Sequence, residues 1–420
     1  MRTFPKVTVT QKGADFLRGG HVWVYADEVT ALDGTPNESG SDRGARGESD
    51  DGELVDVYSP KGRYLGTGFY NSHSKIRVRV VSKNANDRFD EAFWERKLRW
   101  AVEYRRRVMG GDFSCCRLIF GEADAFPGLT VDRFGDVLVT EVLSLGIEKI
   151  KGKLYRLLVG LLREEFGVTV SVLYERNDSP LRVLEGMEAG AGFYAGEGLL
   201  TETDGRCRIT ENGILYEVDY INGQKTGFFL DQKYNRAAIR KIAKGARVLD
   251  CFTHTGSFAL NAAQAGATHV TAVDISADAL EIAKRNAERN GLSDRMDFVC
   301  ADVFEYLTAA ANANAFDYDV VILDPPAFNK SRDTLRNAIK GYREINRRAM
   351  QLLRRGSYLA TCSCSHFMTE TYFRQMLHNA AEDAGVGLRQ IEARQQSPDH
   401  PILWNVPETD YLKFFIFQIV

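Results

Sequence analysis

The chain has 420 residues, 44% hydrophobic and 26% charged, with 54 basic against 57 acidic side chains and a formal net charge of −3. These proportions exclude a wholly disordered chain and a uniformly basic nucleic-acid binder, and the length exceeds what one ordinary core encloses. No apolar run approaches the roughly 20 residues needed to cross a bilayer, and the opening MRTFPKVTVT lacks a signal-peptide core, so the expected compartment is the cytoplasm. The seven cysteines are then free thiols, and their spacing fits no metal site: Cys115 and Cys116 are adjacent, Cys207, Cys251 and Cys300 isolated, Cys362 and Cys364 two apart.

Residues 1–82 alternate short β-rich runs with glycine turns (VTVT, HVWVYADEV, GELVDVYS, GRYLGTGFY, KIRVRVVS), which predicts a small β-barrel. The polar, glycine-rich TPNESGSDRGARGESDDG between Ala31 and Gly52 reads as a mobile loop between two barrel strands. Lys75, Arg77 and Arg79 alternate along one run and offer contacts to phosphates, while Trp23 or Tyr25 offers a ring for a base, although an aromatic in a small barrel is ordinarily core.

Residues 83–220 open with FDEAFWERKLRWAVEYRRRV, in which Phe93, Trp94, Leu98, Ala101 and Val102 share one face of an amphipathic linker helix. The runs TVDRFGDVLVTEVLS, VTVSVLYERN and RITENGILYEVDYI around the helix EKIKGKLYRLLVGLLREEFG then predict an α+β domain.

Residues 221–420 change grammar to strand, helix, strand: ARVLDCF, HVTAVDIS, MDFVCADVF, DYDVVILDPPAF and GSYLATCSCS alternate with helical segments, and VGLRQIEARQQ and YLKFFIFQIV follow. This is an α/β pattern, a Rossmann-like parallel sheet whose last two strands form an antiparallel edge. Ligands sit beyond the carboxyl ends of such strands, and there Asp250, Asp274, Asp302 and Asp324 stand in series. One such aspartate is usually a helix cap, but four in register point to a ligand. The turn D-C-F-T-H-T-G supplies Gly256 but not the G-x-G-x-x-G that a pyrophosphate needs, which disfavours a dinucleotide. S-adenosylmethionine has no phosphate; Asp274 suits its ribose hydroxyls, Asp302 its adenine amino group and Asp250 its amino acid head or sulfonium. His21, His73 and His254 have no ligand spacing. Between Lys330 and Arg355 nine bases face only Asp333 and Glu344; that stretch is either a solvated helix face or a phosphate-binding one.

With these residues in hand, the chain resembles the class I S-adenosylmethionine-dependent methyltransferases, and among them the bacterial large-subunit (23S) ribosomal RNA 5-methylcytosine methyltransferases. The resemblance runs through a PUA-like barrel with Y-N-S-H-S-K-I-R-V-R, then Q-K-T-G-F-F-L-D-Q, D-C-F-T-H-T-G, D-P-P-A-F and T-C-S-C-S. The loop near Asp42 to Asp51 and the second cysteine, Cys362, depart from the family's pattern. It implies an RNA partner, S-adenosyl-L-methionine as cofactor, no metal, and a homodimer, since the family commonly pairs subunits. It further implies that Gln224, Lys225, Thr226 and Phe228 border the cofactor. The expected cofactor residues are completed by Asp250, Phe252, Thr255, Gly256, Asp274, Ile275, Ser276, Asp302, Val303, Asp324 and Pro325.

Carbon 5 of cytosine is a poor nucleophile, so its methylation needs a thiolate that adds to carbon 6. The resemblance makes Cys364 that nucleophile; the residues alone leave Cys362 open, since on a continuing strand the two would point the same way. Asp324 would bond the ring nitrogen or exocyclic amine of the base. The same D-P-P-A-F suits exocyclic-nitrogen methylation without covalent catalysis, with Phe328 as a ring stacked on a flipped base. A third reading is a non-catalytic RNA-binding protein, against which the intact Asp274, Asp302 and T-C-S-C-S weigh.

Overall fold

The computed structural model describes residues 4–33, 51–313, 317–328 and 333–420. The loop expected between the barrel strands falls mainly on residues 34–50, outside the described ones. Two compact units are present: the first takes residues 1–207, 218–229 and 398–409, the second 208–217, 230–397 and 410–420.

In the first unit, β1 (Lys6–Val9), β2 (Trp23–Tyr25), β3 (Val29–Asp33), β4 (Leu54–Tyr58), β5 (Tyr64–Tyr70) and β6 (Ile76–Ser82) form a six-stranded sheet in the order β2-β6-β5-β4-β1-β3. Val7, Val9, Val24, Val55, Val57 and Val78 fill its interior, fully buried. The HVWVYADEV run, expected as one strand, is broken by a 3-10 turn at Ala26–Glu28, and α1 (Gln11–Arg18) intervenes after β1, capped by Thr10. The expected amphipathic helix is α2 (Glu91–Met109), which buries Phe93, Trp94, Leu98, Ala101 and Val102 together with Arg105. A five-stranded sheet follows, β11-β10-β9-β8-β7, from β7 (Cys115–Phe120), β8 (Leu129–Phe134), β9 (Val137–Val142), β10 (Val172–Asn177) and β11 (Gly190–Phe193), with α3 (Leu145–Phe166) between β9 and β10 and the short α4 (Leu181–Leu184) after β10. Strands β12 (Arg206–Glu211) and β13 (Ile214–Asp219) form a separate two-stranded sheet, of which residues 208–217 belong to the second unit.

The second unit holds seven strands in the order β16-β15-β14-β17-β18-β20-β19. Its elements are α5 (Lys233–Ala243), β14 (Arg247–Cys251), α6 (Ser257–Gln264), β15 (His269–Asp274), α7 (Ala277–Arg289), β16 (Met296–Cys300), α8 (Val303–Asn312), β17 (Tyr318–Leu323), α9 (Leu335–Gln351), β18 (Leu353–Ser363), α10 (Glu370–Ala384), β19 (Leu388–Arg394) and β20 (Lys413–Ile419). Strands β14 to β18 are mutually parallel, and β20 runs antiparallel to both β18 and β19. The two final strands do pair antiparallel, but only β19 is an edge; β20 inserts beside β18. Helix α9 presents Ala338, Tyr342, Ile345 and Ala349 at helical spacing to the core, where they meet Leu249, Leu323, Phe373 and Phe415. The order 3-2-1-4-5 of the parallel strands reverses direction at β14, so a crevice opens where β14 and β17 end.

Candidate active site

The crevice is built from strand ends and the turns that follow them. Asp250, one residue before the end of β14, is fully buried. Its Oδ2 accepts from Thr253 Oγ1 (2.5 Å) and from the Ala259 amide (2.9 Å), while Oδ1 is buried with no hydrogen-bond partner among the described residues. Burial pushes the carboxyl up to about 7, with the nearby charges of Asp324 and Asp274 adding to the effect against the bonds from Thr253 and Ala259.

The turn after β14 is conformationally costly. Phe252 (φ 63°) and His254 (φ 50°) occupy the left-handed region, a penalty of about 1–3 kcal/mol each in general, and Gly256 has φ 83° with a notional Cβ only 3.0 Å from the Ala283 Cβ. The His254 amide is fastened to Asp274 Oδ2 (2.8 Å), which ties this turn to the end of β15. Burial lowers the His254 imidazole to about 4, so it is neutral and does not serve as a cation here.

Asp274 also accepts from the Ser276 amide (2.9 Å) at Oδ1, and Ser276 caps α7 through Ala279. Each Asp274 oxygen keeps a second lone pair for a further donor. Ile275 beside it is 71% exposed, an apolar face at the mouth of the crevice. Asp302 lies two residues past β16 and caps α8: its Oδ1 accepts from the Phe304 (2.8 Å) and Glu305 (3.1 Å) amides. Val303, the first residue of α8, is buried.

Asp324 follows β17 directly, and its Oδ1 accepts from Gln232 Nε2 (3.0 Å) and from the Cys362 thiol (2.9 Å). Gln232 is in turn held by Asn235 Nδ2, which donates to its Oε1 (2.7 Å). Burial raises the Asp324 carboxyl and pushes the Cys362 thiol well above its usual range, the negative charge of Asp324 adding to the latter. Cys362 is fully buried within β18, but β18 stops at Ser363, so Cys364 has left the strand and the two thiols do not share a strand face as a continuing strand would require. Cys364 is half-buried, with its Sγ 3.9 Å from the Pro325 carbonyl oxygen. Lys413, opposite Ser363 on β20, donates to the Ser365 (2.6 Å) and Tyr411 (2.8 Å) carbonyls; burial brings its ammonium down to about 8.

Phe328 packs on Tyr342 (ring centroids 4.6 Å) and Phe304 (5.7 Å), and so forms part of a wall. Asp250, Phe252, Thr255, Gly256, Asp274, Ile275, Ser276, Asp302, Val303, Asp324, Pro325 and Cys364 all lie in the second unit, in or just after its strands β14 to β18. Gln224, Lys225, Thr226 and Phe228 belong to the other: there Thr226 Oγ1 donates to Asp132 (2.6 Å), Phe228 is buried, and the Lys225 ammonium lies 4.9 Å from the Phe229 ring centre. Gln232, Asn235 and Lys413 escape a reading of strand ends. Gln232 closes the Q-K-T-G-F-F-L-D-Q run, which is the signal that points to it.

The basic stretch after D-P-P-A-F is more fully paired than its sequence suggests. Asp383 of α10 takes Arg343 in a two-point contact (2.6 and 2.8 Å), Glu344 takes Arg347 and Arg348, and Arg354 and Arg355 sit on β18 rather than on the helix. Lys330 and Arg332 lie outside the described residues. On the barrel, Arg77 donates to the Asn71 and Ser72 carbonyls, and Arg79 pairs with Glu122 (3.3 Å) and Glu185 (2.8 Å). Trp23 donates to Glu122 (3.0 Å). Arg79 and Trp23, expected to offer a cation and a ring to RNA, are used within their own unit, whereas Arg77 meets only neutral carbonyls and Lys75 is exposed.

A parallel sheet in this order, with acids at or beside four strand ends and no phosphate-binding glycine loop, defines a nucleoside-cofactor transferase of the methyltransferase class. Residues 188–417 match the profile of the S-adenosylmethionine-dependent methyltransferases, and residues 7–83 that of a PUA-like domain. Ribosomal RNA large subunit methyltransferase I of Pseudoalteromonas translucida is 39% identical over 97% of this chain and 98% of its own, and that of Klebsiella pneumoniae 35% identical over 99% of each. The crystal structure of SMU.776 complexed with SAH superimposes with a TM-score of 0.79 over 98% of this chain and 99% of that one at 22% identity, a likeness of fold. The chain belongs to the ribosomal RNA large subunit methyltransferase I family of S-adenosylmethionine-dependent methyltransferases.

The crevice fits that cofactor. The orphaned Asp250 Oδ1 suits a buried cation such as the amino acid head, Asp274 retains acceptor capacity for ribose hydroxyls, and Ile275 offers an apolar cover for a base.

Proposed function

We propose that this protein methylates carbon 5 of a cytosine in large-subunit ribosomal RNA, in the cytoplasm, through a transient bond from Cys364 to carbon 6. The observation that carries this reading is the contrast between the two thiols. Cys362 is enclosed and donates its S–H to Asp324, which disfavours the thiolate, whereas Cys364 stands past the end of β18, half-buried beside D-P-P-A-F.

In the proposed reaction the Cys364 thiolate adds to carbon 6, forming the S–C bond and moving the ring electrons to carbon 5. Bound S-adenosylmethionine supplies the methyl group as an electrophile and leaves as S-adenosylhomocysteine. Loss of the carbon 5 proton then restores the double bond and expels Cys364. Asp324, whose carboxyl burial raises above its usual range, is assigned the hydrogen bond to the base. Gln232 and Cys362 orient that carboxyl from the other side. Transfer to an exocyclic nitrogen would use Phe328 as an open stacking face, and its packing against Tyr342 and Phe304 favours the carbon 5 reading instead.

The test is to incubate the enzyme with S-adenosylmethionine and transcripts containing 5-fluorocytidine, then run denaturing gels on wild type, Cys362→Ala and Cys364→Ala. Fluorine does not leave as a proton does, so an adduct persists. A band lost only in Cys364→Ala is expected. A band lost only in Cys362→Ala would transfer the role to that residue, and no band alongside methylation of ordinary RNA would refute covalent catalysis.

A further inference from the structure

An enzyme acting on one base in a long RNA must also hold the strand away from the reacting atoms, a requirement that rests on the RNA-methylating activity already proposed. Arg79 and Trp23 of the barrel are taken by carboxylates of their own unit. The same unit carries a second surface with an exposed indole and cations beside it.

A groove of about 940 Å³ runs between the end of β6 and α2, at the upper end of the range for ligand pockets. On the α2 side Arg96, Lys97, Trp100 and Tyr104 fall at helical spacing, so they form one stripe. Trp100 is 54% exposed, unusual for so large an apolar ring. The Arg96 guanidinium and the Lys97 ammonium each lie 5.7 Å from its ring centre, so two cations border the indole. Leu403 lines the groove, and its neighbour Trp404 is 93% exposed.

The charge balance selects the occupant. Of the acids lining the groove, Glu122 is paired with Arg79, Asp124 with Arg105 and Asp87 with Arg96. Lys83 donates to the Leu17 carbonyl (2.6 Å), a neutral acceptor, and keeps its charge; Lys97 makes no ion pair among the described residues. The lining's own charges balance, Lys83, Arg96 and Lys97 against Asp87, Glu122 and Asp124, but because Glu122 and Asp124 are held by arginines from outside the lining, Lys83 and Lys97 are left over beside an exposed indole. An apolar peptide would gain from the ring but not from the charge, whereas a polyanion with planar bases uses both.

We propose that this α2 groove binds a single-stranded segment of the substrate RNA, one base stacking on Trp100, the phosphates beside it meeting Lys97 and Lys83, and Tyr104 offering the next stacking face. Recognition of this kind tolerates sequence, so the groove contributes hold rather than choice of target.

The test uses the full-length protein and a short fluorescein-labelled oligoribonucleotide of mixed sequence, followed by anisotropy over a series of salt concentrations. Trp100→Ala is expected to weaken binding about 5- to 150-fold, with Trp100→Phe recovering most of it. Lys97→Gln is expected to reduce the salt slope by about 0.7. Unchanged thermal midpoints for both variants separate lost binding from lost folding. Wild-type binding that neither variant alters would overturn the groove while leaving the methyltransferase reading intact; a wild-type protein that binds no RNA would overturn both.

Discussion

At Asp250 the protein holds a carboxyl where water cannot reach it. Burial pushes its pKa up to about 7, against about 3.9 in an unfolded chain. An acid raised on folding stabilises the folded state while it is protonated; that contribution is complete below about pH 3.9 and is lost as pH rises through about 7. A cation at Oδ1 reverses the preference, because it binds the ionised form. The Kd for S-adenosylmethionine is therefore expected to fall by up to about tenfold between about pH 6 and pH 7.5, with a proton released on binding. Calorimetry in buffers of different ionisation enthalpy reads both quantities, and Asp250→Asn should flatten the dependence. A flat profile in the wild type would remove Asp250 from the cofactor's cationic end. Asp250 and Asp274 are legible in the sequence because each closes an apolar run. The pairing of Gln232 with Asp324 is not, since the two stand 92 residues apart, and neither is the neutralisation of Arg79, whose carboxylates come 43 and 106 residues later.

At the scale of elements, Asp302 shows how one side chain serves both the fold and a proposed ligand contact. Its Oδ1 closes two amides at the start of α8, so Asp302→Ala is expected to cost about 1 kcal/mol of stability, whereas Asp302→Asn, an equally good cap, should cost little. Urea unfolding measures this, and cofactor affinity in Asp302→Asn isolates the role of the charge; equal stability of both variants would show that the cap does not matter. Long amphipathic elements such as α2 and the β14 to β18 series are readable because burial imposes a period. Helix α1, eight residues long, and β7, with Cys115 and Cys116 both buried, carry too little periodicity to stand out.

The whole molecule is two units woven from one chain. The segment 398–409 returns to the first unit, where Asp399 accepts from the Arg117 amide (2.8 Å) and its carbonyl from the buried Arg105 (3.0 Å). A fragment of residues 1–207 leaves those donors without acceptors in the interior, so it is expected to unfold more readily than the same residues in the full chain. Near-ultraviolet circular dichroism and limited proteolysis check this, and a fragment as resistant as the parent would show the returning segment to be dispensable. No linear division of the sequence contains such an exchange, which is why the boundaries of the units are the least legible part of the fold.

The place of β20 between β18 and β19 has a consequence for synthesis. A ribosome delivers β19 before the strand that joins it to the sheet, so the nascent chain carries two unsatisfied strand edges until Lys413 to Ile419 has cleared the exit tunnel. Translation halted in that interval yields a product with Cys364 already made and its sheet still open, a form suited to aggregation or to clearance by quality-control proteases rather than to work.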